Sequence, residues 1–129
     1  RKLAKLVFAK KGKLEALNSL VHPRVKMDFK SFVSQFDTPY LIKEAAILFE
    51  TGGEKDCYAT ILVTAPEKLR VQRVLNREKT NSMDIKARIK NQWSDEKKIP
   101  LADYIINNID WDKTLIKIDE IHQKLLVLD

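Results

Sequence analysis

Cys57-Tyr58-Ala59-Thr60-Ile61-Leu62-Val63-Thr64, closed by Ala65-Pro66-Glu67, is the stretch on which the fold turns. β-Branched and aromatic residues fill it and Ala-Pro ends it, so it reads as a strand. Pro66 in a first helical turn, with Glu67 close behind, then favours a helix start. That helix carries Leu69, Val71, Val74 and Leu75, interspersed with Arg70, Arg73 and Arg77. A strand delivered into a helix is half of a βαβ unit, and strands alternating with helices argue a parallel α/β sheet.

Downstream, Asn81-Ser82 offers a cap for a second helix from about Met83 to Lys98, in which Ile85, Ile89 and Trp93 fall four apart and Pro100 marks the end. Ala102 to Asn108 reads as a short strand running into a turn, and Leu115 to Leu128 as a closing helix. Upstream, Ala45-Ala46-Ile47-Leu48-Phe49 is a near-continuous apolar run, which suits a strand buried on both faces. Thr51 to Asp56 holds two of the chain's three glycines and reads as a flexible loop. Helical spacing fills the first 36 residues: Leu3, Leu6 and Val7, then Leu14, Leu17, Leu20 and Val21, then an interruption at Pro23, then Val25, Phe29, Phe32, Val33 and Phe36. Two or three helices are expected there.

Composition narrows the function classes. The 129 residues carry 24 Lys plus Arg against 18 Asp plus Glu, a formal charge of +6, with 44% hydrophobic residues. That apolar share is too high for a wholly disordered chain and sufficient for a core. No apolar run approaches the roughly 20 residues of a membrane helix and no secretion signal is legible, so a cytoplasmic location is the default expectation. The single cysteine, Cys57, has no partner for a disulfide or a zinc motif, and no metal site is expected. Arg1 is not an initiator Met, and the start reads as truncated or processed.

Four constellations could carry chemistry. Arg70, Arg73 and Arg77 differ by three, four and seven, which aligns them on one helix face where guanidinium forks can take phosphate oxygens. Arg88 and Gln92 extend that surface from the next helix. His22 precedes Pro23, which disfavours helical geometry and places its imidazole at a helix break. Glu50 follows the run ending at Phe49, and in open α/β sheets ligands gather at the carboxyl ends of strands. Asp103, Asn107 and Asn108 bracket the second strand in the same way, where side-chain amides can read a base edge. A solvated basic face, a packing histidine, an ordinary loop acid and an Asn-Asn turn are the bland counterparts of these readings. No stretch of the form G-x-x-x-x-G-K-S/T occurs, so the 129 residues by themselves hold no triphosphate cradle.

Taken in order, the motifs resemble the C-terminal two-thirds of the dephospho-coenzyme A kinase family of P-loop kinases. Leu17-Asn18-Ser19-Leu20-Val21-His22-Pro23 is similar to the family's Leu-Asn-x-x-x-His-Pro signature, and Ala46-Ile47-Leu48-Phe49-Glu50 to its Pro-Leu-Leu-Phe-Glu strand end, with Ala46 and Ile47 departing from it. Ala65-Pro66-Glu67 with Arg73, Arg77, Arg88 and Gln92 resembles its lid, where Arg70 replaces a common Gln. Ala102 to Asn108 resembles its Ala-Asp-x-Val-Ile-x-Asn ending.

The resemblance implies a three-layer parallel α/β sheet of P-loop nucleoside-kinase type, incomplete because the first strand and phosphate loop are absent. It implies a helical acceptor-binding segment over 1–39, core strands over 40–66, a helical lid over 67–98, and a core strand with a C-terminal helix over 99–129. It also implies transfer of the ATP γ-phosphoryl group to the ribose 3′-hydroxyl of dephospho-coenzyme A, with Mg2+ as the metal of the full-length parent and nothing tightly bound to this chain. Arg73, Arg77 and Arg88 would clamp phosphates, His22 and Glu50 would shape the acceptor site, and Asn107, Asn108 and Gln92 would lie at the nucleotide. The missing strand normally sits between the strands matching Tyr40–Phe49 and Cys57–Thr64. The chain alone is therefore expected to be inactive, with exposed strand edges open to self-association. The competing readings are a basic nucleic-acid-binding module, which the clustering of basic residues in the lid argues against, and a non-catalytic binding domain.

Overall fold

The computed structural model describes residues 11–127, so the expected helical stripe at Leu3, Leu6 and Val7 lies outside the described residues. The chain falls into two units that divide between Leu41 and Ile42.

The first unit is built on α1 (Lys11–Val33), an unbroken helix with Pro23 inside it. The expected break at Pro23 does not occur. Proline removes one ladder bond, to the Ser19 carbonyl, but does not forbid helical φ for itself. Ser19 and His22 are exposed, so this stretch of the helix faces water. His22 accordingly sits in mid-helix rather than at a helix end. Past Val33 the chain leaves the helix through Ser34, whose N–H donates to the Lys30 carbonyl at 3.1 Å and whose hydroxyl donates to that of Ser31 at 2.9 Å.

The second unit contains the α/β core. β1 (Ile61–Thr64) and β2 (Tyr104–Asn107) pair in parallel, with Ile61 opposite Tyr104 and Thr64 opposite Asn107. Parallel neighbours need a long crossover. Here it comprises α2 (Glu67–Arg77), α3 (Ser82–Lys90) and α4 (Asp95–Lys98), followed by a 3-10 turn at Ile99–Leu101. α5 (Trp111–Leu126) closes the unit against β2. Leu62 and Ile106 of the strands, Ile85 of α3 and Ile121 of α5 are each no more than 6% exposed and form the core. Val63, by contrast, remains 56% exposed.

Local chemistry sets the boundaries. The Asp110 carboxylate accepts the Lys113 N–H at 3.0 Å and starts α5 four residues earlier than the apolar spacing implied. Asn81 caps α3 as expected, its Oδ1 accepting the Asp84 N–H at 2.9 Å. The helix expected to continue to Lys98 stops at Lys90, because the Trp93 N–H is taken by a side chain from elsewhere and the chain restarts as α4.

The largest correction concerns Ala45–Phe49, which is not a strand. Residues 46–52 are turns, stitched by Thr51 N–H to the Ile47 carbonyl at 3.2 Å and Gly53 N–H to the Leu48 carbonyl at 2.9 Å. Nor is the run buried on both faces: Phe49 is buried and Leu48 half-buried, but Ala45, Ala46 and Ile47 are exposed, and a strand also needs a ladder partner. Among the described residues the sheet has two strands, and this run pairs with neither. Gly52 sits at φ 69°, a left-handed conformation that glycine supplies without a side-chain penalty. The expected loop over Thr51–Asp56 is this turn followed by a 3-10 turn at Gly53–Asp56.

Candidate functional site

The two ends of the parallel pair do different work. At the amino end, Asp103 Oδ2 accepts both the N–H and the hydroxyl of Thr60, each at 2.7 Å, while the Asp103 N–H donates back to that hydroxyl at 3.1 Å. The Thr60 hydroxyl, then its N–H, hold the Asp103 carboxyl below its ordinary value. Asp103 thus pins the strand starts together and stands away from the carboxyl end, where ligands of α/β sheets gather.

At the carboxyl end, the Asn108 N–H continues the ladder to the Thr64 carbonyl at 2.8 Å. The Asn108 carbonyl accepts from Arg73 Nη1 at 2.9 Å, which ties the middle of α2 to the end of β2. Asn107 is exposed beside it and lines a hollow of about 470 Å³ with Ile105, Ile109, Lys113 and Lys117. Arg73 and the Asn107–Asn108 pair are therefore brought together where the sheet presents its ligand-binding end.

The helix face carrying Arg70, Arg73 and Arg77 resolves into three separate attachments. Arg70 Nη1 lies 3.7 Å from Asp95 Oδ1, and Lys98 Nζ approaches the same oxygen at 3.4 Å. Arg73 goes to Asn108. Arg77 Nη2 lies 2.6 Å from Glu78 Oε1, and Arg88 Nη1 of α3 reaches the other oxygen of that carboxylate at 3.3 Å. Arg77 first and Arg88 second hold the Glu78 carboxyl below its ordinary value. Arg77 and Arg88, assigned from sequence to one phosphate surface, do converge, and Glu78 is the group between them.

Glu50 is placed differently from expectation. Its Oε1 accepts the Trp93 N–H at 2.7 Å, so it fastens the turn after Phe49 to the gap between α3 and α4. Its second oxygen is buried with no hydrogen-bond partner. Gln92 is half-buried next to that gap, and Lys97 Nζ lies 3.4 Å from the Trp93 ring centroid. His22 is an exposed residue of the first unit.

Sequence reasoning missed Glu78 and Asp95. Neighbours in sequence do not face each other on a helix, so Arg77-Glu78 carries no pairing signal. The pair forms because α2 ends at Arg77 and Glu78 turns extended, at φ −121° and ψ 143°. Asp95 lies 25 positions from Arg70, beyond any helical spacing rule. Among the described residues no group of three or more His, Cys, Asp or Glu could hold a metal ion. These side chains do not fit a magnesium site, and no step is assigned to one. No described helix is long and apolar enough to cross a membrane.

Comparison with known proteins places this arrangement. The family model described as dephospho-CoA kinase matches residues 1–112. A dephospho-CoA kinase from Chlorobium luteolum is 38% identical over 120 residues, covering 91% of this chain and 54% of the relative. One from Chlorobium chlorochromatii is 35% identical over 128 residues, covering 96% of this chain and 60% of the relative. The crystal structure of TT1252 from Thermus thermophilus superposes with a TM-score of 0.93 at 31% identity, over 99% of this chain and 67% of that one. The chain spans a little over half the length of these curated relatives. With α2 and α3 carrying the expected arginines beside a parallel β1–β2 pair, and the family model spanning most of its length, the chain belongs to the dephospho-CoA kinase family.

Proposed function

We propose that this chain is the acceptor and lid portion of an enzyme that transfers the ATP γ-phosphoryl group to the ribose 3′-hydroxyl of dephospho-coenzyme A, the last step of coenzyme A biosynthesis. One observation carries the reading: in a chain of this family, Arg73 sits at the carboxyl end of β2 while Arg77 and Arg88, from two helices, share one anion. Phosphoryl transfer depends on positioning and charge neutralisation, which forked guanidinium groups supply. Arg73, Arg77 and Arg88 then clamp phosphates. Asn107 and Asn108, with Gln92 between α3 and α4, lie on the nucleotide side. Glu50 serves the acceptor side by fixing the lid base through Trp93, and His22, on α1 of the first unit, is the other acceptor residue that the resemblance implies. Mg2+ accompanies ATP in the longer protein, which works in the cytoplasm. The 129 residues alone are inactive and self-associate through the outer edge of β1, which pairs with β2 and with no other described strand.

The nucleic-acid alternative is weakened at the base of α2, where Arg70 and the buried Lys98 are already paired with Asp95. The test is a coupled assay for coenzyme A formed from ATP, Mg2+ and dephospho-coenzyme A. The 129-residue chain is expected to form none, and a longer reading frame that adds a G-x-x-x-x-G-K-S/T loop to form it. Arg77→Lys in that longer protein keeps the charge but loses the fork, and turnover is expected to fall. Product from the short chain overturns the inactivity; none from the longer protein overturns the function.

A further inference from the structure

Glu78 occupies a position that the proposed chemistry leaves unexplained. A site meant to receive phosphate is filled by a carboxylate of the chain itself, one oxygen on Arg77 at 2.6 Å and the other on Arg88 at 3.3 Å. The carboxylate thereby bridges the end of α2 to α3, across a short connection capped at Asn81. All three side chains are open to water, at 74% exposure for Arg77, 64% for Arg88 and 37% for Glu78. A buried carboxylate here would be a permanent structural partner. An exposed one holds its arginines weakly and gives way to a better acceptor.

We propose that Glu78 is an intramolecular stand-in for phosphate: it keeps the Arg77 and Arg88 guanidinium groups converged while the site is empty, and a bound polyphosphate displaces it. This rests on the reading of Arg77 and Arg88 as phosphate ligands. A carboxylate offers two oxygens in a plane, whereas a phosphate group offers three in a tetrahedral array with more charge, so it outcompetes Glu78 for two forks arriving from different helices. Glu78 thus offsets the mutual repulsion of the two arginines, and a bound polyphosphate has to displace it.

The experiment is calorimetric titration of the 129-residue chain with inorganic tripolyphosphate at low ionic strength. Glu78→Gln is expected to tighten binding by about twofold to fivefold, the range typical of releasing an exposed ion pair. Glu78→Asp, which restores the charge, is expected to return the affinity towards that of the parent. Asp119→Asn removes an exposed carboxylate on α5, and measures the effect of bulk charge alone. Helix content by circular dichroism checks that each variant is folded, and Glu78→Ala serves if the glutamine variant is not. Affinity unchanged or weakened in Glu78→Gln, or raised no more than in Asp119→Asn, overturns the stand-in. Arg77→Met decides the reading beneath it: if that variant binds tripolyphosphate as tightly as the parent, or the parent does not bind, the phosphate assignment fails and the stand-in with it.

Discussion

Replacing Thr60 by Val tests whether the Asp103 clamp, rather than packing alone, fixes the start of the parallel pair. Thr60 is 5% exposed, and Val fills nearly the same volume, so no cavity opens. What is lost is the hydroxyl: its 2.7 Å bond to Asp103 Oδ2 and the 3.1 Å bond it accepts from the Asp103 N–H. The bond from the Thr60 N–H to the same carboxylate, at 2.7 Å, survives. A hydrogen bond to a charged group contributes about 1.5–3 kcal/mol and a neutral one about 1 kcal/mol. Asp103 is exposed and recovers part of both from water, so the expected loss is about 1–2 kcal/mol. Urea unfolding followed by circular dichroism measures it.

The pH dependence provides an independent check. The folded state holds the Asp103 carboxyl below its ordinary 3.8, so the unfolded chain binds the proton more readily. The stability derived from this group is complete above pH 3.8 and is lost as pH falls through the lower folded value. Thr60→Val removes the largest cause of the shift and flattens that part of the acid limb. A loss below about 0.5 kcal/mol at neutral pH, the range of an inconsequential surface change, combined with an unaltered acid limb, refutes the clamp.

Ile121→Ala on α5 is expected to destabilise the second unit by about 2–5 kcal/mol, because Ile121 is 3% exposed and its removal leaves a cavity; a urea midpoint equal to the parent's would contradict this core. Asn81→Ala deletes the cap of α3 and is expected to cost about 1 kcal/mol locally, seen as faster amide hydrogen exchange over Ser82–Lys90 with β1 and β2 unaffected; uniform exchange changes would show that α3 opens only with the whole unit.

What the sequence made legible follows from how local each signal is. Cys57–Thr64 into Pro66–Glu67 announces β1 and α2 because β-propensity, a proline and an acidic first turn all lie within a dozen residues, although β1 begins only at Ile61 and Cys57–Thr60 lie outside it. Asn81 announced its helix in the same way. The Ala45–Phe49 run implies a strand buried on both faces, yet only Phe49 is buried and no ladder forms, since apolar composition carries no information about a ladder partner. Pro23 reads as a break, although a proline inside a helix removes one bond and crowds the preceding turn without having to end it. Glu50 stands out by its place after an apolar run, but its partner, the Trp93 N–H, lies 43 residues away and cannot be read from spacing.

The arginine face shows why spacing alone could not rank its members. Three arginines in register look equivalent on a helical wheel, yet their partners grade along α2. At the base, Arg70 is 34% exposed and shares Asp95 with the buried Lys98, so an incoming anion there must break an existing three-charge cluster in a partly desolvated place. In the middle, Arg73 holds a neutral carbonyl, which any phosphate oxygen outbids. At the far end, Arg77 and Arg88 share an exposed carboxylate and are separated from a polyanion only by a weak, solvent-screened competitor. A polyphosphate approaching this surface therefore meets least resistance at Arg73, Arg77 and Arg88 and most at Arg70. Arg70, where the sequence departs from the pattern it resembles, is thus also the residue whose environment makes it a fastener of α2 to α4.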